Sequence, residues 1–128
     1  MRTRYTVALS IIAGLALGVT TIEVLHAQAK PVAYAIVLNT VNNQEKYMSE
    51  FAPAITKALQ DAGGKYIVRG GKSIPVHGAA PAPRVVVVQF ESLDKAQAWA
   101  DSPAAKAAYA VGEKYATLND FLVEGVSP

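Results

Sequence analysis

The chain has 128 residues, with 12 Lys/Arg against 10 Asp/Glu, a formal net charge of +2 and no cysteine. Disulfides and thioether lipid anchors are therefore excluded. The near-neutral balance gives no electrostatic case for nucleic acid or an anionic membrane surface.

The N-terminal stretch MRTRYTVALSIIAGLALGVTTIEVLHAQAK opens on Arg2 and Arg4, runs apolar from Val7 to Ile22, and ends in Ala27-Gln28-Ala29. That is the layout of a secretory signal peptide, with cleavage expected after Ala29. The alternative is a retained anchor. The charge-free run falls short of the ~20 residues a spanning helix needs, which favours cleavage. Residues 1–29 are thus read as signal peptide and residues 30–128 as one domain in a periplasmic or secreted protein, off the membrane after cleavage. Removing 29 of 128 residues leaves 99, with ten Lys/Arg and nine Asp/Glu. A domain of that size has a modest core and, without disulfides, must be held by packing and by any subunit interface.

Val32 to Val41 (VAYAIVLNTV) is β-rich and apolar at nearly every position, so it reads as a strand buried on both faces. Asn42 or Asn43 then caps a helix whose apolar positions Tyr47, Phe51, Ile55 and Leu59 recur every four residues. Pro53 lacks an N–H and is expected to kink or restart that helix, and Gly63-Gly64 ends it. Lys65 to Arg69 (KYIVR) is a second strand, closed by Gly70-Gly71. Pro75 restricts the next segment to an edge or bulge, and HGAAPAP (His77 to Pro83) is linker-like. Arg84 to Phe90 (RVVVVQF) is a third strand. Ser92 caps LDKAQAWADS, Ser102-Pro103 caps the helix AAKAAYAVGEKYAT, and Asn119 to Val126 (NDFLVEGV) is a fourth strand.

The order β-α-β-β-α-β predicts an α+β, ferredoxin-like fold, a four-stranded antiparallel sheet with two helices on one face. The strands are nonetheless apolar on both faces. Val85 and Val87 point one way and Val86, Val88 and Phe90 the other. Monomers rarely expose large apolar patches, so the uncovered face implies a homodimer packed sheet to sheet.

Candidate functional residues are few. Gly71-Lys72-Ser73 ends as a phosphate-binding loop does, but that motif needs glycine where Tyr66 stands and a helix where Ile74-Pro75-Val76 stand. Nucleotide binding is excluded on both counts. His77 is the single histidine of residues 30–128 and the candidate proton-transfer group, set against an ordinary solvated loop histidine. Arg69, at a strand end, is the candidate clamp for a carboxylate or phosphate, set against a sheet-end salt bridge. Trp99 and Tyr109 are candidate pocket aromatics, set against plain core. No spacing of ligands marks a metal site, and no cofactor is expected.

Three segments carry a family likeness: GGKYIVRGG, RVVVVQFESLDKAQAWADSP and FLVEGV. With the F-x-S-x-x-x-A-x-x-W run at Phe90, Ser92, Ala96 and Trp99 and the Ser102-Pro103 step, residues from about Val32 to Val126 resemble the Domain of Unknown Function 1330 family. That resemblance implies a member of the dimeric α/β-barrel superfamily, which includes cofactor-independent monooxygenases, small isomerases and haem-using enzymes, with pockets between sheet and helices. The chain departs from the family pattern at Ala100 and Ala104-Ala105, where aromatics are common, and at Gly112-Glu113-Lys114, where an arginine is. The expectation is an exported homodimer binding a small organic ligand. The alternative is a cofactor-independent oxygenase- or isomerase-type enzyme, with Arg69 orienting an anionic substrate and His77 moving a proton.

Overall fold

Strand β1 (Ala33–Val41) lies in the middle of an antiparallel sheet, hydrogen-bonded on both edges. On one side it pairs with β3 (Arg84–Phe90), which in turn pairs with β2 (Lys65–Arg69). On the other side it pairs along Ala33 to Val37 with β5 (Asp120–Glu124), and at Thr40 and Val41 with the two-residue β4 (Ala116–Thr117). This computed structural model describes residues 30–128. The signal-peptide reading of residues 1–29 lies outside the described residues. Among those described, no helix is long and apolar enough to cross a membrane. The arrangement of strands and helices is the ferredoxin-like α+β fold expected from the element order.

The first helical element, α1, spans residues 44–61. Asn43 caps it, its side-chain oxygen accepting from the Lys46 N–H at 3.0 Å. Pro53 does not break the helix. A π-helical turn at Tyr47–Phe51 precedes it, in which the Ala52 N–H reaches back to the Tyr47 carbonyl, and Pro53 falls in the first turn of the α-helical part, Ala52–Asp61. The wide turn also aligns the buried face. On an ideal helix, positions four apart drift by about 40° per step. The π turn's extra residue removes part of that drift and keeps Tyr47, Phe51, Ile55 and Leu59 toward the sheet, all of them buried. At its end Gly63 adopts φ +81°, Gly64 N–H donates to Leu59 O at 2.8 Å, and Gly63 N–H donates to Gln60 O at 3.0 Å. That is a Schellman stop, which needs the left-handed residue glycine supplies.

Helices α2 (Leu93–Asp101) and α3 (Pro103–Gly112) meet at Ser102, whose hydroxyl donates to Trp99 O at 2.7 Å and accepts from Ala105 N–H at 3.2 Å. One side chain thus stops the first helix and starts the second. The second helix is shorter than the expected run to Thr117. It ends at Gly112, and the Tyr115 carbonyl accepts from the N–H groups of Asn42 and Asn43 at 2.7 and 3.1 Å. Those bonds draw the chain alongside β1, so Ala116 and Thr117 form a strand where sequence periodicity predicts helix.

The helices cover one face of the sheet. Ala33, Ala35, Val86, Val88 and Phe90 point into that interface and are buried with Phe51, Leu59, Ala96, Trp99, Ala105 and Ala108. Packing is close where α3 crosses α1: a Cβ placed on Gly112 would stand 2.6 Å from Phe51 Cδ2. Gly112→Ala should therefore destabilise by roughly 1–3 kcal/mol in urea unfolding, overpacking outweighing alanine's better helix propensity. Gly71→Ala, where a Cβ meets nothing within 4 Å, is the control expected to unfold like the parent. Equal midpoints for all three proteins would refute this packing.

Candidate functional site

The site begins with an irregularity in β2. Lys65 and Tyr66 pair with Gln89 and Val88, but Val68 and Arg69 pair with Val87 and Val86, leaving Ile67 as an extra residue. A bulge of this kind reverses the facing of everything after it. Plain alternation puts Arg69 on the face opposite Tyr66, whereas the bulge returns it to the helix side beside Tyr66. The Arg69 guanidinium carbon lies 4.4 Å from the Tyr66 ring centroid, a cation–π contact. Its Nη2 donates a long 3.4 Å bond to Thr56 Oγ1, which is 2.8 Å from the Tyr66 hydroxyl. Strand β2 and helix α1 are tied at this point.

Gly70 comes next with φ +66°, its N–H donating to Val85 O at 2.8 Å. A Cβ there would stand 2.6 Å from Arg84 Nη1, so the bare backbone is the surface on which the Arg84 guanidinium rests. On its other side, Arg84 Cζ is 5.5 Å from the Tyr47 ring centroid. Across the sheet, Arg84 stands in register with Asn39, which is fully buried. Asn39 Nδ2 donates to the Tyr47 hydroxyl at 3.1 Å, and its Oδ1 accepts from Asn119 N–H at 3.2 Å. Among the described residues Arg69 and Arg84 join no ion pair.

Asp120 closes the far side. Register places it beside Val37, so Arg69, Val86, Val37 and Asp120 form one row across four strands on the helix-covered face. Asp120 shares a hydrogen bond with the Tyr109 hydroxyl. Burial raises the Asp120 carboxyl above the usual carboxylate range, and the bond from Tyr109 offsets this only in part. Burial first, then the neighbouring Asp120 charge, raises the Tyr109 hydroxyl and keeps it protonated. Trp99 packs between Phe90 and Tyr109 at centroid distances of 5.4 and 6.2 Å.

These groups surround a cavity of about 40 Å³ between sheet and helices, lined by both arginines, Tyr66, Trp99, Tyr109 and Asp120 among others. Three buried polar atoms on residues that line it have no hydrogen-bond partner: Arg84 Nε, Trp99 Nε1 and Asp120 Oδ1. Buried polar atoms are rarely left unpaired, because each costs on the order of 1–3 kcal/mol. The cavity can therefore offer two N–H donors and one oxygen acceptor to a molecule inside it. No cluster of three His, Cys, Asp or Glu side chains suited to a metal ion occurs among the described residues. A shallower cleft of about 290 Å³ lies behind the same wall, sharing Trp99, Tyr109 and Asp120 with the cavity.

Of the residues singled out by sequence, Arg69, Trp99 and Tyr109 line this one cavity. His77 does not; it stands exposed in the segment that joins β2 to β3. Sequence reasoning passed over Arg84, Asn39, Tyr47, Tyr66 and Asp120. A signal was present in Asn39 and Asp120, polar residues inside otherwise apolar strands, but their facing depends on register.

The family profile described as Domain of unknown function (DUF1330) matches residues 32–126, and the chain belongs to that family. No curated protein matches it. Among solved structures the chain is similar to RPA0582, a protein of unknown function from Rhodopseudomonas palustris. The TM-score is 0.58 at 10% identity, over 84% of this chain and 94% of that one. The methylated form of RPA0582 gives a TM-score of 0.58 at 10% identity, over 85% and 92%. At such identity the likeness concerns the fold.

The raised Asp120 pKa has a measurable consequence. The folded state binds this proton more tightly than the unfolded chain, so its stabilisation is complete below the unfolded value of 3.8 and fades as pH rises through the folded pKa. Asp120→Asn removes the titration while retaining an acceptor for Tyr109. Its thermal midpoint should gain on that of the parent protein as pH is raised from about 4 to about 7, and the two should converge in acid below 3.8. Parallel pH–midpoint curves would contradict the assignment.

Proposed function

We propose that this member of the DUF1330 family is an exported homodimer that holds a small organic ligand in the cavity between its sheet and helices. Three unpaired polar atoms on residues lining the cavity carry this reading. A packed core would have replaced them with apolar groups or paired them, since unsatisfied burial is costly. The mixture of apolar lining and a few convergent polar groups is also what small-molecule sites have in common. Export rests on the N-terminal basic, apolar and Ala-Gln-Ala pattern.

The test is a thermal-shift screen of small organic compounds at millimolar concentration, repeated on Arg69→Ala and His77→Ala. Hits should raise the midpoint of the parent protein by several degrees, weaken in Arg69→Ala and persist in His77→Ala. If no compound shifts the parent, or if His77→Ala abolishes every hit, the cavity is not the binding site. One observation favours the enzymatic alternative: the half-buried Asp120 carboxyl, beside Tyr109, belongs to the cavity lining, as a proton-transferring group would. In an isomerase-type reaction that role falls to Asp120, with Arg69 at the mouth. Chemical turnover of a hit during the screen would separate that reading from simple binding.

The dimer is supported by the face of the sheet that carries no helix. Val68, Val87, Ile36 and Phe121 stand in register across four strands there, with Val68 40% and Phe121 49% exposed. Tyr34, Leu38, Val85 and Val123 extend the same face. Water contact over such a patch is unfavourable at ~25 cal/mol per Å². Light scattering after size exclusion should report a dimer at micromolar concentration, and Phe121→Glu should convert it to a folded monomer. A monomeric parent protein would overturn the sheet-to-sheet pairing.

A further inference from the structure

We infer that the cavity takes a short 2-hydroxycarboxylate, its carboxylate held by the Arg84 and Trp99 N–H groups and its hydroxyl donating to Asp120. This rests on the small-ligand reading above and adds the chemical class. The unpaired atoms set the inventory. Arg84 Nε and Trp99 Nε1 are donors only, Asp120 Oδ1 is an acceptor, and all three belong to residues that line the cavity. The complementary molecule must therefore present two acceptor sites and one donor. A carboxylate with an adjacent hydroxyl does so with two carboxylate oxygens and one hydroxyl on a two-carbon frame.

Charge narrows the choice further. Waters alone could satisfy the three polar atoms, but they leave the half-buried Arg84 without a counter-charge, and it joins no ion pair among the described residues. A guanidinium partly withdrawn from water binds a carboxylate more strongly than a neutral acceptor. Asp120 enters from the side of β1 opposite Arg84, so it meets the ligand's hydroxyl and not its carboxylate. A carboxyl oxygen accepts from a ligand hydroxyl.

Size and register agree. Arg84 and Asp120 flank β1 from opposite sides, in register with Asn39 and Val37, two residues apart on that strand. Strand spacings of ~4.8 Å and a rise of ~3.3 Å per residue put their α-carbons about 12 Å apart. A ligand held between them is therefore short. A volume of about 40 Å³ is room for roughly three waters at the ~10–15 Å³ each requires, which suits an acid of two or three carbons and not an aromatic one.

The experiment is calorimetric titration of the full chain with three probes: glycolate, acetate, which lacks the hydroxyl, and glycolamide, which lacks the charge. Glycolate should bind at least tenfold tighter than either. Asp120→Ala should erase the preference for glycolate over acetate, and Arg84→Gln the preference for glycolate over glycolamide. The ranking on the parent protein stands as a test even if a variant fails to fold. Equal affinities for the three probes, with other compounds binding in the broader screen, would overturn the hydroxy acid and leave the ligand cavity intact. No binding of the probes or of any screened compound would overturn both, leaving water as the occupant.

Discussion

The site hangs on one buried amide. Asn39 is the one fully buried polar side chain among the described residues, and it sits on the central strand with a partner at each end. Its N–H bond to the Tyr47 hydroxyl ties β1 to the first turns of α1, and its oxygen takes the Asn119 N–H just before β5. Leaving either end unsatisfied would cost on the order of 1–3 kcal/mol, so α1, β1 and the entry to β5 move together. Tyr47 in turn supports Arg84, and the position of Asn119 sets where Asp120 enters the sheet. The two polar sides of the cavity are therefore positioned by a single side chain between them.

Around that amide, three backbone irregularities shape the cavity. The π turn in α1 aligns Tyr47 with Phe51, Ile55 and Leu59 on the sheet side. The bulge in β2 turns Arg69 toward the helices, and Gly70 leaves the space in which the Arg84 guanidinium lies. Each departs from ideal helix or strand geometry, and each delivers a functional-looking side chain to one place. Bulges and π turns are enriched near sites for this reason: an extra residue re-aims side chains without altering the topology. GGKYIVRGGKS is thus no phosphate loop. Its first glycine pair is a helix stop, its middle a bulged strand, and its second pair a turn that seats an arginine.

The apolar character of both sheet faces has two separate consequences. On the helix side it builds the core in which polar atoms become expensive, so that the unpaired ones acquire meaning. On the other side it leaves Val68, Val87, Ile36 and Phe121 as a surface that water covers poorly. A protein without cysteine has no disulfide to hold it and leans on burial the more, and both faces are available for that.

Local sequence determined the elements. Alternating and continuous apolar runs marked the long strands, two of them at the boundaries found, Lys65–Arg69 and Arg84–Phe90. Ser92, Ser102-Pro103 and Gly63-Gly64 punctuated the helices because caps and stops act within one turn of their own residue. The element order then left few topologies, and the ferredoxin-like one is adopted. Tertiary structure decided the rest. The bulge that aims Arg69, the strand at Ala116–Thr117 and the placement of Asp120 all depend on pairing with residues distant in the chain. A period of two specifies alternation but not which face comes first, and one inserted residue reverses it. Hence the sequence alone could name Arg69, Trp99 and Tyr109 separately. Only the paired strands and packed helices bring them to one cavity with Arg84 and Asp120, while leaving His77 outside it.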